Sequence, residues 1–345
     1  MELSESFRVG VTRDFLDAEG NLGFGDIGLG ILDDAEGVAW EFLKDDSREI
    51  RPEVAGQYDA LLVLAPSVTA ASLERAERLK LIARFGVGYD NVDVEACSQQ
   101  GVLLTITPEG VRRPVATSAI ALLLALSHKL LVKDRLTREG RWGEKINHMG
   151  RGLTGRTLGV AGLGNIGREV LRLAAPFELR HVAYDPHVRP ETVGDLDVEL
   201  VGLEELLTTS DFVVICCALA PETRHLINAE RLALLKSTAS LINVARGPVV
   251  DQQALTEALA KRSIASAALD VFETEPVDPE DPILKLDNVI VAPHAISWTD
   301  ELFSGIGRDA CQSIVEVASG RVPRSVVNCD LLDQPHLRAK LNQPS

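Results

Sequence analysis

The segment Gly162-Leu163-Gly164-Asn165-Ile166-Gly167 constrains this chain more than any other. It follows an apolar run that reads as a strand at residues 157–161, and it opens a helical pattern over 166–177. In such a strand–turn–helix unit the first glycine permits the tight turn. The second lets backbone approach a pyrophosphate, and the third lets helix and strand pack closely. The phosphates then meet free N–H groups at the positive end of the helix, where Asn165 and Ile166 lie. Asp185 stands 18 residues beyond Gly167, at the end of the next expected strand. A carboxylate there accepts hydrogen bonds from both ribose hydroxyls and repels a 2′-phosphate, so NAD is expected rather than NADP. A second match to the glycine pattern, Gly23-Phe24-Gly25-Asp26-Ile27-Gly28, has no strand leading into it and reads as a surface loop.

The rest of the chain alternates in a way that suits a parallel sheet with helices on both faces. Before the glycine motif, strands are expected at 8–12, 60–65, 81–85 and 102–106, and helices at 35–43, 72–80 and 94–100. A long helical stretch runs over 114–138, apolar nearly all round in its first half and basic in its second. A loop with five glycines follows over 140–155. Further strands are expected at 157–161, 181–184, 212–217, 240–243, 266–269 and 289–292, with helices at 166–177, 204–208, 229–235 and 252–261 between them. Asp251 stands at the N-cap position of the last of these helices. Six strands with crossover helices are the count for a dinucleotide-binding domain. One more helix is expected over 300–319.

Composition narrows the partners. At 345 residues the prior is about two domains. There are 51 acidic residues against 35 basic ones, a net charge of −16, which disfavours nucleic acid and anionic membrane surfaces. The strongest contiguous apolar runs, 119–126 and 212–220, fall short of the ~20 residues a bilayer needs, so no membrane span is expected. The acidic start Met1-Glu2-Leu3-Ser4-Glu5 lacks a leader pattern. Five cysteines without CxxC spacing suit small buried groups in a reducing cytoplasm. No metal is expected: His181 and His187 flank Asp185, which the ribose claims, and His128, His148, His225 and His336 sit in no ligand pattern.

Three residues at C-terminal strand ends, where open α/β sheets bind ligands, carry the chemistry of hydride transfer to a 2-oxo acid. Arg246 holds a carboxylate and polarises the neighbouring carbonyl. His294 gives a proton to the forming alkoxide, and the carboxylate of Glu275 beside it orients the ring and favours its protonated form. A surface ion pair, a loop acid and a capping histidine remain the bland alternatives for the three.

The matching pieces are Phe85-Gly86-Val87-Gly88-Tyr89-Asp90-Asn91-Val92-Asp93, the glycine motif with Asp185, Pro221-Glu222-Thr223, Asn243-Val244-Ala245-Arg246-Gly247, Leu269-Asp270-Val271-Phe272 followed by Glu275-Pro276, and Pro293-His294. In this order, over roughly residues 7–328, the chain resembles the D-isomer-specific 2-hydroxyacid dehydrogenase family. The resemblance implies an α/β protein, with a Rossmann cofactor domain (113–298) inserted into a smaller flavodoxin-like α/β substrate domain (1–112 and 299–345). It implies Arg246, Glu275 and His294 as the catalytic set, with Glu275 chosen over Glu273. It places Thr223, Val244, Ala245, Arg246, Asp270 and His294 with the glycine motif around NAD. Backbone N–H groups at Val87 and Gly88 hold the substrate carboxylate, and a homodimer forms through the long helix. Arg113 stands where some members contact substrate, and Trp298 replaces a usual small residue; both read either as pocket residues or as a surface charge and packing. Ile296 also replaces a glycine, and Thr117 a glutamate, which bears on the substrate more than on the reaction type. The length leaves no room for the C-terminal regulatory domain of some members, so serine feedback is not expected. The alternative within the same scaffold is an NAD(H)-sensing binding protein, like the family's corepressors.

Overall fold

The β-branched and leucine-rich runs form two parallel sheets, one in each of the two compact units into which the chain divides. The first unit is Met1–Val111 with Trp298–Ser345; the second is Arg112–Ser297. The computed structural model describes residues 6–44, 46–334 and 340–341. The acidic start at 1–5 and His336 lie outside the described residues.

In the first unit β1 (Phe7–Val11), β2 (Val38–Phe42), β3 (Ala60–Val63), β4 (Leu81–Arg84) and β5 (Leu103–Thr105) pair in the order 2-1-3-4-5. That is the flavodoxin-like order. Residues 35–43, expected as a helix, instead hold β2, paired in parallel with β1. Its Val38, Trp40 and Phe42 are half-buried while Ala39 and Glu41 are exposed, a period of two on an edge strand. The expected helix at 72–80 is a short 3-10 turn, Ala71–Leu73, continued by i→i+3 bonds such as Ala76 N–H to Leu73 and Leu79 N–H to Ala76.

The loop carrying the first glycine pattern is exposed at Gly23, Gly25 and Asp26, as a surface loop should be, but its far end is packed. It lies against the helix Asp300–Ala318, and a β-carbon on Gly28, whose φ is +80°, would sit 2.6 Å from the carbonyl carbon of Gly307. Glycine is needed there for close backbone approach. Phe24 of the same loop stacks on Phe303 at 4.6 Å between ring centroids.

In the second unit β6 (Thr157–Ala161), β7 (Arg180–Tyr184), β8 (Glu199–Leu200), β9 (Phe212–Ile215), β10 (Ser240–Asn243), β11 (Ser266–Leu269) and β12 (Val289–Val291) pair in the order 12-11-10-9-6-7-8. Strand order reverses between β6 and β9, the switch point at which a doubly wound sheet binds its ligand. The sheet has seven strands rather than the expected six, because β8 is a two-residue edge too short to read from sequence. Alternate residues serve opposite faces: Val213 and Ile215 pack with Leu206 and Leu255, while Phe212 and Val214 pack with Leu123 and Val170.

The long helix starts earlier and ends sooner than expected. It runs Pro108–His128 with Pro114 inside, and Lys129 turns left-handed before a second helix, Leu130–Arg138. The break follows from Arg151, whose N–H donates to the Ser127 carbonyl at 2.7 Å. With 21 residues, Pro108–His128 meets the length and composition of a membrane span, which the contiguous runs had not revealed. Its Ala116, Ala119, Ile120, Leu122 and Leu123 are core residues, and the core helix of a soluble protein passes the same test. The five-glycine segment also holds a 3-10 helix, Trp142–His148.

Candidate active site

The glycine motif occupies the turn from β6 into the helix Asn165–Ala174. Gly162 has φ +97°, and a β-carbon there would lie 2.4 Å from the Cys217 nitrogen. A β-carbon on Gly167 would lie 2.1 Å from the Gly162 carbonyl oxygen. Gly164 differs: its missing β-carbon faces open space, and it is the N-cap of a helix that no side chain caps. Tight turn, open approach and close packing thus fall on the three glycines in the order expected. The half-buried Asp185 follows β7; its Oδ2 accepts from the Leu163 N–H at 2.8 Å and its Oδ1 from the His187 N–H at 2.9 Å. An uncapped helix end, an open glycine and a fixed carboxylate fit a dinucleotide.

The other expected cofactor contacts lie on turns after β9 and β10. Thr223 Oγ1 accepts from the Ala220 N–H at 2.7 Å and donates to the Ala218 carbonyl at 2.7 Å, which closes its turn. Val244 and Ala245 are half-buried beside Arg246, and the Arg246 guanidinium donates to the Ala245 carbonyl at 2.8 Å. Asn243 shapes this turn and had been given no role from sequence. It is buried; its Oδ1 accepts from the Ala245 N–H and its Nδ2 donates to the Arg246 carbonyl, each at 3.0 Å.

Beyond β11 and β12 the structure brings Glu275 and His294 together. His294 Nδ1 lies 2.7 Å from Glu275 Oε2, and the pair is half-exposed. The Glu275 Oε1 accepts from the Phe272 N–H at 2.9 Å. Burial works to raise the Glu275 carboxyl, but the His294 hydrogen bond, the Phe272 N–H and the charges of His294 and Arg246 together hold it below its ordinary value. His294 has a left-handed φ of 54°, fixed by its N–H bond to the Asp270 carbonyl at 2.8 Å. Asp270 is buried, and its Oδ1 accepts from the Ala295 and Ile296 N–H groups. Burial pushes its carboxyl up, and those two bonds and the His294 charge only partly offset it. Ile296 donates to Asp270 and accepts from the Ser118 hydroxyl, so its backbone is held although the usual glycine is absent. Glu273 does not join this group: its Oε1 lies 2.5 Å from His225 Nε2, a partner for His225 that the sequence had not suggested.

In the first unit, Val87 and Gly88 follow β4 on a turn pinned by the buried Thr107. The Thr107 hydroxyl accepts from the Gly86 N–H and its own N–H donates to the Gly86 carbonyl, both at 3.0 Å. Among the described residues, neither the Val87 nor the Gly88 N–H donates to another group of the chain. Trp298 packs edge-on against Phe24 and Phe303, and Phe303 stacks on Phe85, which opens the same turn. Arg113, in the second unit, donates to Glu169 at 2.8 Å.

Known proteins resemble this chain over most of its length. Residues 120–295 match the family model described as D-isomer specific 2-hydroxyacid dehydrogenase, NAD binding domain. A glyoxylate reductase of Korarchaeum cryptofilum is 39% identical over 297 residues, 85% of this chain and 90% of that protein. A D-3-phosphoglycerate dehydrogenase of Archaeoglobus fulgidus is 38% identical over 283 residues, 82% of this chain and 54% of that protein. The crystal structure of a glyoxylate reductase from Paecilomyes thermophila superimposes with a TM-score of 0.76 at 27% identity, covering 93% of this chain and 98% of that one. The chain belongs to the D-isomer-specific 2-hydroxyacid dehydrogenase family. It is an NAD(H)-dependent enzyme of 2-hydroxy acid and 2-oxo acid redox chemistry.

Proposed function

We propose that the enzyme reduces a short 2-oxo acid of the glyoxylate type, with His294 as proton donor. The observation that carries this reading is the 2.7 Å bond between His294 Nδ1 and Glu275 Oε2, which leaves Nε2 on the opposite side of the ring for substrate. Bound NADH supplies the hydride. The Gly164 turn and Asp185 hold it at the pyrophosphate and the ribose, while Thr223, Val244, Ala245 and Asp270 line its course. His294 Nε2 gives its proton to the oxygen on which negative charge develops, and Glu275 stabilises the resulting orientation of the ring. Arg246 polarises the carbonyl and holds the carboxylate, with the Val87 and Gly88 N–H groups. On this reading residues 113–298 are the cofactor domain, and 1–112 with 299–345 the substrate domain.

Trp298, fixed by Phe24 and Phe303, is proposed to limit the length of the acid. Arg113 is assigned to its ion pair with Glu169, whose side chain is buried while that of Arg113 stays half exposed. Oxidation of NADH with glyoxylate, hydroxypyruvate, pyruvate and 3-phosphohydroxypyruvate tests the reading. Glyoxylate or hydroxypyruvate should give the highest kcat/KM, and no turnover with any of the four would overturn it.

The enzyme is further proposed to work as a cytoplasmic homodimer. The five cysteines are free, as a reducing compartment keeps them. The first half of the long helix is largely covered within its own chain, so the interface is proposed at the later part of the expected helical stretch and just beyond it. The apolar surface lies further on, at Leu130, Leu131, Trp142, Ile146 and Met149, with Ile146 and Met149 each 79% exposed. Clustered exposure of this kind marks an association surface. Light scattering at low micromolar concentration should give about twice the 37.3 kDa of one chain, and Ile146→Asp with Met149→Asp should return it to one.

A further inference from the structure

We propose that His225 is a positioning residue, which acts through Glu273 to set the loop that carries Glu275. The proposal rests on the reading of His294 and Glu275 as the proton-donating pair. Three loops at the C-terminal ends of β9, β10 and β11 carry Thr223, Arg246 and Glu275, and His225 joins all three. It lies on the first loop, two residues after Thr223. Its N–H donates to the Pro248 carbonyl on the second at 2.8 Å. Its Nε2 lies 2.5 Å from Glu273 Oε1 on the third. Gln252 braces the same carboxylate: its N–H donates to Glu273 Oε1 at 3.4 Å, and its side-chain oxygen accepts from the Glu273 N–H at 3.0 Å.

Glu273 and Glu275 flank Thr274 and turn to different histidines. Both histidines are left-handed, His225 at φ 50° and His294 at φ 54°, a region that side chains with a β-carbon rarely occupy, so each is held there by its contacts. Glu275 depends on the N–H of Phe272, the residue next to Glu273. A shift of Glu273 therefore moves the donor that fixes Glu275 Oε1, and with it the Oε2 facing His294. Arg246 and Asp270 supply the other charges acting on the His294–Glu275 pair, and changes at His225 leave both in place.

The test is steady-state reduction of glyoxylate by NADH from pH 5 to 10, or of whichever acid of the panel turns over fastest. It uses the full-length wild type, His225→Ala, His225→Gln, Glu273→Gln and His294→Ala. His225→Ala should lower kcat about ten-fold and move the alkaline limb of the profile down by about half a pH unit, with the KM for NADH unchanged. His225→Gln, whose amide N–H can reach Glu273, should restore kcat to within about three-fold. Glu273→Gln keeps the shape and should shift the limb in the same direction. An alkaline limb at the wild-type position in both His225→Ala and Glu273→Gln overturns the proposal, whatever their melting temperatures. His294→Ala with wild-type turnover overturns the proton-donor reading instead, so the two failures are distinct.

Discussion

Replacing His294 by alanine should lower kcat by about 10²–10⁴, the usual scale of general acid catalysis, while NADH affinity stays within a few-fold of wild type. The cause is local. Nδ1 is committed to Glu275, so on the proposed reading Nε2 is the ring nitrogen left to protonate substrate. Glu275→Gln should act more mildly and should move the alkaline limb of reduction to lower pH, because the protonated ring loses its charged partner. The acid side follows from Glu275 itself. Its carboxyl lies below the ordinary 4.5, so the stability its pairing adds is fully present above that value and is lost as pH falls through the lowered native value. Steady-state kinetics with fluorescence titration of NADH separates turnover from binding. Near wild-type turnover in the alanine variant would remove His294 from the reaction.

Two neighbouring glycines should respond in opposite ways to the same substitution. Gly164→Val places its side chain in open space at an ordinary φ of −76°, so the melting temperature should hold. The new atoms occupy the approach of the pyrophosphate, and the Kd for NADH should rise about 10- to 100-fold, roughly 1–3 kcal/mol of overpacking. Gly162→Val instead meets a φ of +97° and the Cys217 backbone at 2.4 Å, so the fold itself should lose more than about 2 kcal/mol. Calorimetric melting beside NADH titration reads both. Wild-type affinity in Gly164→Val would place the pyrophosphate elsewhere.

How much of this was legible beforehand depended on the range of the forces involved. The β6 turn was readable because its rules are local: three glycines, one helix start and one carboxylate within a single βαβ unit. Asp251 was readable for the same reason, and its side chain accepts from the Ala254 N–H as an N-cap should. The edge strand Val38–Phe42 was misread although its burial alternates, because the apolar Ala39 on its exposed face blurs the pattern in the sequence. The break at Lys129 was invisible because its cause, Arg151 at the Ser127 carbonyl, lies more than twenty residues away. Arg246, Glu275 and His294 were named from residue type and strand-end position. Asn243 and Thr107 were missed because buried polar groups that shape a turn carry no sequence period. The first glycine pattern shows the reverse case, a motif whose last glycine, Gly28, answers to a helix almost three hundred residues on.

That distant helix also decides when the first unit can be finished during synthesis. Asp300–Ala318 packs on β3 and β4, Val326 bridges Thr105, and Asn328 accepts from the Leu104 N–H. All of these partners leave the ribosome after the 186 residues of the second unit. At roughly 5–20 residues per second, the nascent strands β3 to β5 therefore wait about 10–40 seconds with one apolar face uncovered. The second unit, continuous in the chain, is complete before its predecessor is closed. Protection of the emerging polypeptide should therefore matter most at strands β3 to β5, and the segment 300–328 acts as the seal.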